Sequence, residues 1–218
     1  MSLLNFSFAF CSQTDIIFKM NILNLFRPKI TVVAHSGTFH ADDVFAVATL
    51  CLWAEKNGKR VDLVRTRDEK VIEKADMVVD VGGKYDLTTN RFDHHQRGGA
   101  GERETGIPYA SFGLVWKHYG EDVCKKYSIS QKIEAKEIWK LLDKRLVSPI
   151  DARDNGVVIS LPNDFGVVEH RTSNAISLFN STWIENSDDS SDERFKNALE
   201  FAKEILEREI VWAEAEIL

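Results

Sequence analysis

A chain of 218 residues, 44% hydrophobic and 28% charged, carries enough apolar material for one large domain with a buried core. The net charge of -6 excludes bulk attraction to nucleic acid or to an anionic membrane, although bound divalent cations would invert the local field of an acidic site. Cys11, Cys51 and Cys124 lie far apart with no CxxC pair, which argues against a disulfide framework and a thiolate zinc site; the chain reads as intracellular, and a cytoplasmic location is expected.

Residues 1–28 read as an N-terminal extension. Met1 to Phe10 is apolar but lacks a basic start and a small-residue cleavage site. No run approaches the ~20 apolar residues needed to span a bilayer, so no membrane partner is expected. Met20 is an alternative start, and Arg27-Pro28 marks the entry to the domain.

Lys29 to Ala34 is a β-branched run with the composition of a buried strand, and it ends at His35. From Asp42 through Trp53 the chain is apolar nearly all round, which predicts a helix buried on most faces and closed by Asn57-Gly58. Val61 to Thr66 predicts a second strand, Arg67 to Lys74 a short charged helix, and Met77 to Val81 a third strand containing Asp80. This alternation indicates an α/β fold with a parallel sheet and helices on both faces. Such sheets bind ligands at the carboxyl ends of their strands. His35, Asp80 and the triplet Asp93-His94-His95 all occupy positions of that kind.

Gln96 to Tyr109 is glycine-rich and reads as a mobile surface loop rather than a substrate lid, because it lacks the phosphate-loop lysine. Ser111 to Tyr119 predicts a helix. Ser128-Ile-Ser130 then predicts the cap of a longer one through Leu146, interrupted by Pro149. Past Gly156, Val157 to Ser160 is strand-like, Pro162 to Asp164 is a turn, and Thr172 to Phe179 predicts a helix. Residues 29–185 are expected to form the catalytic domain. Residues 186–192 are a polar linker, and 193–218 an amphipathic helix leading to a second domain that the sequence does not contain.

Four separated patches carry the chemistry: His35 to Asp43, Asp80, Asp93 to His95, and Asp151 to Asp154. Oxygen and nitrogen donors without sulfur suit Mn, Mg or Fe better than structural zinc. An Asp at the end of a central strand is placed to bridge two ions, which would activate water and clamp a phosphoryl group. Each patch has a plainer reading: Asp42-Asp43 as a helix cap, Asp93 as a turn former, Asp154-Asn155-Gly156 as a helix terminator. Four of the six histidines fall in two of the patches, which favours a common site. Ser36 and Ser111 lack the setting of a serine nucleophile. Arg65 and Arg67 flank a strand end, and with Arg97 they are candidate substrate-binding residues.

The motifs HSGTFHADD, VRTRD, VVDVGGKYD, RFDHHQR and IDARDNG, in that order, resemble the family of melanocyte-proliferating-gene proteins, a branch of the DHH phosphoesterase superfamily. The resemblance runs from about Thr31 to the C-terminal helix. It implies a DHH-type phosphoesterase domain and 3′-to-5′ exonuclease action on RNA or short oligonucleotides. It places His35, His40 and Asp80 on one metal ion, and Asp42, Asp80, His94 and either Asp151 or Asp154 on the other, with Asp151 slightly preferred. His95 would contact the scissile phosphate, and Asp93 would orient a histidine. The usual DHH first motif has Asp where this sequence has His40, which puts the identity of the first ion in question. Two Mn2+ per site are expected, with Mg2+ or Fe2+ as alternatives. A small-molecule phosphatase or pyrophosphatase is the alternative enzyme, and a non-catalytic metal- or partner-binding remnant is the alternative outside enzymes.

Overall fold

The run Lys29–Ala34 forms strand β1 in the computed structural model, which describes residues 27–160, 165, 169–185 and 190–218. The readings of residues 1–26, of the turn at 162–164 and of residues 186–189 lie outside the described residues. The side chains of β1 alternate between faces, as strand geometry requires. Val32 and Ala34 join the main core, whereas Val33 joins a small cluster on the opposite face.

Helix α1, Ala41–Lys56, is buried on nearly every side and runs through that core. Strand β2 spans Arg60–Arg65. Helix α2, Glu69–Lys74, starts later than its charged sequence suggests, because the Asp68 carboxylate accepts the Lys70 N–H at 2.9 Å and sets the first turn there. Strand β3, Met77–Val79, stops short of Asp80, whose φ of 55° ends the extended run. Strands β4, Tyr85–Asp86, and β5, Arg91–Phe92, complete a five-stranded sheet in the order β2-β1-β3-β5-β4, antiparallel only between β4 and β5.

One sheet face carries most of the protein. Helices α3, Ser111–Val115, and α4, Glu121–Tyr127, are joined through a π-helical turn at Trp116–Gly120. A second π-helical turn, Asp143–Val147, joins α5, Ala135–Leu142, to α6, Ser148–Asp154. Pro149 therefore does not break the chain's helical course. It lies in the first turn of α6, directly after the π-helical turn. Ser128 and Ser130 do not cap a helix either; both hydroxyls donate to the Glu214 carboxylate. Among the described residues, the opposite face is covered by α2 through Val71 and Ile72.

Val157 to Ser160 is not a strand: it leaves the end of α6 as irregular chain, and Val158 is 80% exposed. Helix α7 covers Thr172–Ser177. Helix α8, Ser191–Ile217, is N-capped by Ser190 and lies against α1, so the amphipathic C-terminal segment is part of the main core. Its Phe195 meets Phe39 edge-to-face at 5.2 Å, and both rings are buried, each worth about 1.5–3 kcal/mol. No helix among the described residues is long and apolar enough to cross a membrane.

Candidate metal centre

Sheet register builds the site. Ala34 pairs with Val79, and Val79 pairs with Phe92. The residues that follow them, His35, Asp80 and Asp93, therefore emerge side by side at the carboxyl edge of three parallel strands. Asp80 takes the left-handed conformation, which Asp tolerates better than most residues and which fits a functional turn.

Three groups of donor atoms lie within 4.8 Å of one another among the described residues: Asp80, His94 and His95; His35, Asp43 and Asp80; and Asp42, His94 and Asp154. The closest contacts are His35 Nε2 to Asp43 Oδ2 at 2.9 Å and to Asp80 Oδ2 at 3.4 Å. His94 Nε2 stands 3.1 Å from Asp154 Oδ2 and 3.5 Å from Asp80 Oδ1. Asp80 thus stands between the two halves of the cluster.

The groups around it are held by a web of donors. Asp93 Oδ2 accepts the Gly83 N–H at 2.6 Å, and its Oδ1 accepts the His95 N–H at 3.0 Å and meets His95 Nδ1 at 2.8 Å. Burial would raise the Asp93 carboxyl, but the His95 and Gly83 donors outweigh it and hold it below its ordinary value. His95 is exposed, and with Nδ1 on Asp93 its Nε2 is left to face a ligand. Ser111 donates its N–H to Asp42 Oδ2 at 2.8 Å and its hydroxyl to Asp80 Oδ1 at 3.0 Å. The His35–His40 loop is braced by Asn180, which accepts the Phe39 N–H and donates to the Phe39 carbonyl.

Electrostatics call for positive charge at this place. Burial, followed by Asp80, Asp154 and Asp43, pushes the Asp42 carboxyl well above the carboxylate range. Asp43 is also pushed up by burial, although His35 draws it down. For His94, burial favours the neutral ring, yet Asp154 and Asp80 outweigh it and raise the pKa to about 10. Asp42 Oδ1 is buried with no hydrogen-bond partner among the described residues. An orphaned carboxylate oxygen beside two further carboxylates and an imidazole is a donor set that a divalent cation fits.

Several sequence expectations fall elsewhere. The structure brings Asp154 to the cluster and not Asp151. Asp151 is buried against Arg103 Nη1 at 2.7 Å and accepts the Gly113 N–H at 3.0 Å, and burial raises its carboxyl to about 7 even though Arg103 draws it down. His40 is exposed and lines the cavity, its ring centroid 6.3 Å from that of His35, and it belongs to none of the three groups. Asp43 stands among the donors instead. It was legible only as a capping residue, and it also accepts the His40 N–H. Arg65 is not free for substrate: it donates to Gly37 O, Ser191 O, Ser191 Oγ and Asp192 Oδ1, and it stacks on Phe39 and Phe195. Arg67 lines the cavity with His35, Asp80 and His95; Arg97 is exposed outside it. Arg103, unmarked in the sequence, ties the 96–109 loop to Asp143 and Asp151.

The mostly parallel α/β sheet with a His/Asp cluster at its strand ends is consistent with a phosphoesterase-type domain. Residues 31–218 match the profile MYG1_exonuc, described as uncharacterised protein family UPF0160, and the chain belongs to that family. It is 38% identical over 183 residues to MYG1 protein YER156C of Saccharomyces cerevisiae, covering 78% of this chain and 53% of the yeast protein. It is 35% identical over 191 residues to MYG1 protein C27H6.8 of Caenorhabditis elegans, covering 81% and 53%. The MYG1 exonuclease of Homo sapiens is 32% identical over 181 residues, covering 78% and 47%. The chain spans about half the length of these relatives. No solved structure matches it.

Proposed function

We propose that this domain is a metal-dependent phosphodiester hydrolase that removes nucleotides from the 3′ end of RNA or of short oligonucleotides. The observation that carries the reading is the placing of Asp80 between two sets of donors at the carboxyl edge of the sheet. In this reading His35, Asp80 and Asp43 hold one divalent ion, and Asp42, His94 and Asp154 hold the other, with Asp80 shared. The nitrogen and oxygen donors favour Mn2+ over structural zinc. Bound ions of this kind lower the pKa of water and offset charge on a phosphoryl group. The direction of cleavage and the RNA substrate rest on the motif resemblance, and the nuclease class is supported by relatives that carry the name MYG1 exonuclease.

The chain's own groups divide the remaining work. Asp93 fixes the His95 ring through Nδ1, which turns Nε2 toward the phosphoryl group. Arg67, exposed in the same cavity, neutralises phosphate charge there. Ser111 holds Asp42 and Asp80 in mutual register. The Asn180 clamp on Phe39 keeps the first histidine loop closed on the centre.

The test is cleavage of end-labelled RNA by wild type and Asp80→Asn with Mn2+, in parallel with pyrophosphate and bis(p-nitrophenyl) phosphate. Shortening from the 3′ end that is lost in the variant and in chelator supports the reading. Turnover of pyrophosphate alone would assign the site to compact phosphates. Absence of turnover with metal still bound would remove the enzyme reading.

A further inference from the structure

The centre opens into two cavities rather than one. The larger, about 520 Å³, contains Arg67, His95 and Asp80. The smaller, about 260 Å³, is lined by Asp42, Arg153, Ser173 and Ser177. His40 and Asp154 line both, so the two spaces meet at the donor cluster. The smaller space falls below the usual range of whole-ligand pockets, about 300–1,000 Å³, and suits part of a ligand whose remainder lies in the larger one.

Arg153 gives the smaller cavity its character. It follows from the geometry of α6: Asp151 faces inward to Arg103 and Asp154 faces His94, which leaves the intervening Arg153 on the exposed side. Its guanidinium has no hydrogen-bond or ion-pair partner among the described residues. Arg171, which lines a neighbouring cavity together with Arg153, is paired with Glu169 at 2.7 Å. An unpaired guanidinium in a cavity that Asp42 and Asp154 also line offsets the repulsion that a second anionic group of a substrate would meet there. Its planar fork matches phosphate oxygens. Ser177 donates its hydroxyl to Ser173 O, while the Ser173 hydroxyl remains as a further donor at the wall.

We propose that the smaller cavity is a phosphodiester subsite, in which Arg153 and Ser173 hold the phosphate adjoining the one under attack in a single-stranded nucleic acid. The proposal rests on the nuclease reading and deepens it: Arg67 in the larger cavity and Arg153 in the smaller grip successive phosphates. A substrate with one phosphate does not reach Arg153, and an oligonucleotide does.

The test compares Arg153→Met and Arg153→Lys with wild type, in Mn2+, on a ten-nucleotide RNA and on bis(p-nitrophenyl) phosphate. Loss of one charge-assisted phosphate contact raises KM for the RNA by roughly 10-fold, while kcat/KM for the small diester stays within about 2-fold. Lysine restores part of the loss, and the salt dependence of RNA binding weakens by about one ion. Binding of the labelled RNA in Ca2+, followed by anisotropy, reads the subsite without turnover. Equal RNA affinity in wild type and Arg153→Met would overturn the proposal, as would an equal fall on both substrates. Weaker inhibition by tripolyphosphate with unchanged RNA binding would also overturn it, in favour of a compact polyphosphate. Wild type that cleaves neither substrate defeats the nuclease reading, and the subsite is then decided by the anisotropy alone.

Discussion

Gly113→Ala tests how the second half of the candidate metal centre is held in place. A Cβ on Gly113 would lie 1.8 Å from Asp151 Oδ2 and 2.8 Å from Arg103 Nη2, whereas ordinary contact begins near 3.4 Å. The carboxylate would have to retreat by about 1.6 Å, the difference between those two distances. It is pinned by Arg103 at 2.7 Å and by the Gly113 N–H at 3.0 Å, so retreat means breaking a buried ion pair or moving α6. Breaking such a pair costs about 3–5 kcal/mol. For a chain of this size about 3 kcal/mol lowers Tm by roughly 6–12 °C. If α6 moves instead, Asp154, one turn on, leaves His94 and metal affinity falls. Thermal unfolding followed with and without Mn2+ reads both effects. A Tm within about 2 °C of wild type and unchanged Mn2+ affinity would refute this account of the Gly113–Asp151–Arg103 contact.

Other outcomes follow from single contacts. Asp154→Asn should weaken Mn2+ binding with little loss of fold, and Asp151→Asn should do the reverse; the opposite pattern would restore Asp151 as the ligand. Ser111→Ala removes a hydroxyl that steadies Asp80 and should cost roughly 10-fold in metal affinity, measured by titration with Mn2+. Arg65→Met removes the clamp between the Gly37 loop and the start of α8 and should destabilise by about 1–3 kcal/mol in urea unfolding.

Glu214 supplies a pH signature. Burial would raise its carboxyl, but the Ser128 and Ser130 hydroxyls, with the Ile129 and Ser130 N–H groups, hold it down at about 2. A folded pKa below the ordinary value of 4.5 contributes stability that is present above that value and lost as pH falls toward about 2. Glu214→Gln should flatten the acid limb of stability across that window. An unchanged limb would mean that other carboxylates set it.

The legible parts of the fold were those fixed by local pattern. The β-branched run of β1 and the all-round apolar α1 declare themselves because strand alternation and helix burial are read over a few residues. Parallel order then implied that His35, Asp80 and Asp93 share an edge, since ligands gather at such strand ends. What depended on distant partners was not legible. Asp151 and Asp154 lie on one face of the same helix, and Gly113 and Arg103, 38 and 48 residues away, decide which turns inward. The same holds for Arg65, whose phosphate-binding look gives way to contacts 126 and 127 residues distant. Asp43 looked like a cap because its amide contact is local, and its bond to His35 exists only once β1 and α1 are packed. Val157 to Ser160 had strand composition, but at the surface past Gly156 composition alone does not make a strand.

Asp80 is the residue on which the account turns, because it stands between both sets of donors. Titrating chelator-treated protein with Mn2+ measures its role directly. The account predicts about two ions per chain, with both affinities falling at least ~10-fold together in Asp80→Asn. A single ion in wild type, or two ions whose affinities survive the substitution, would contradict it.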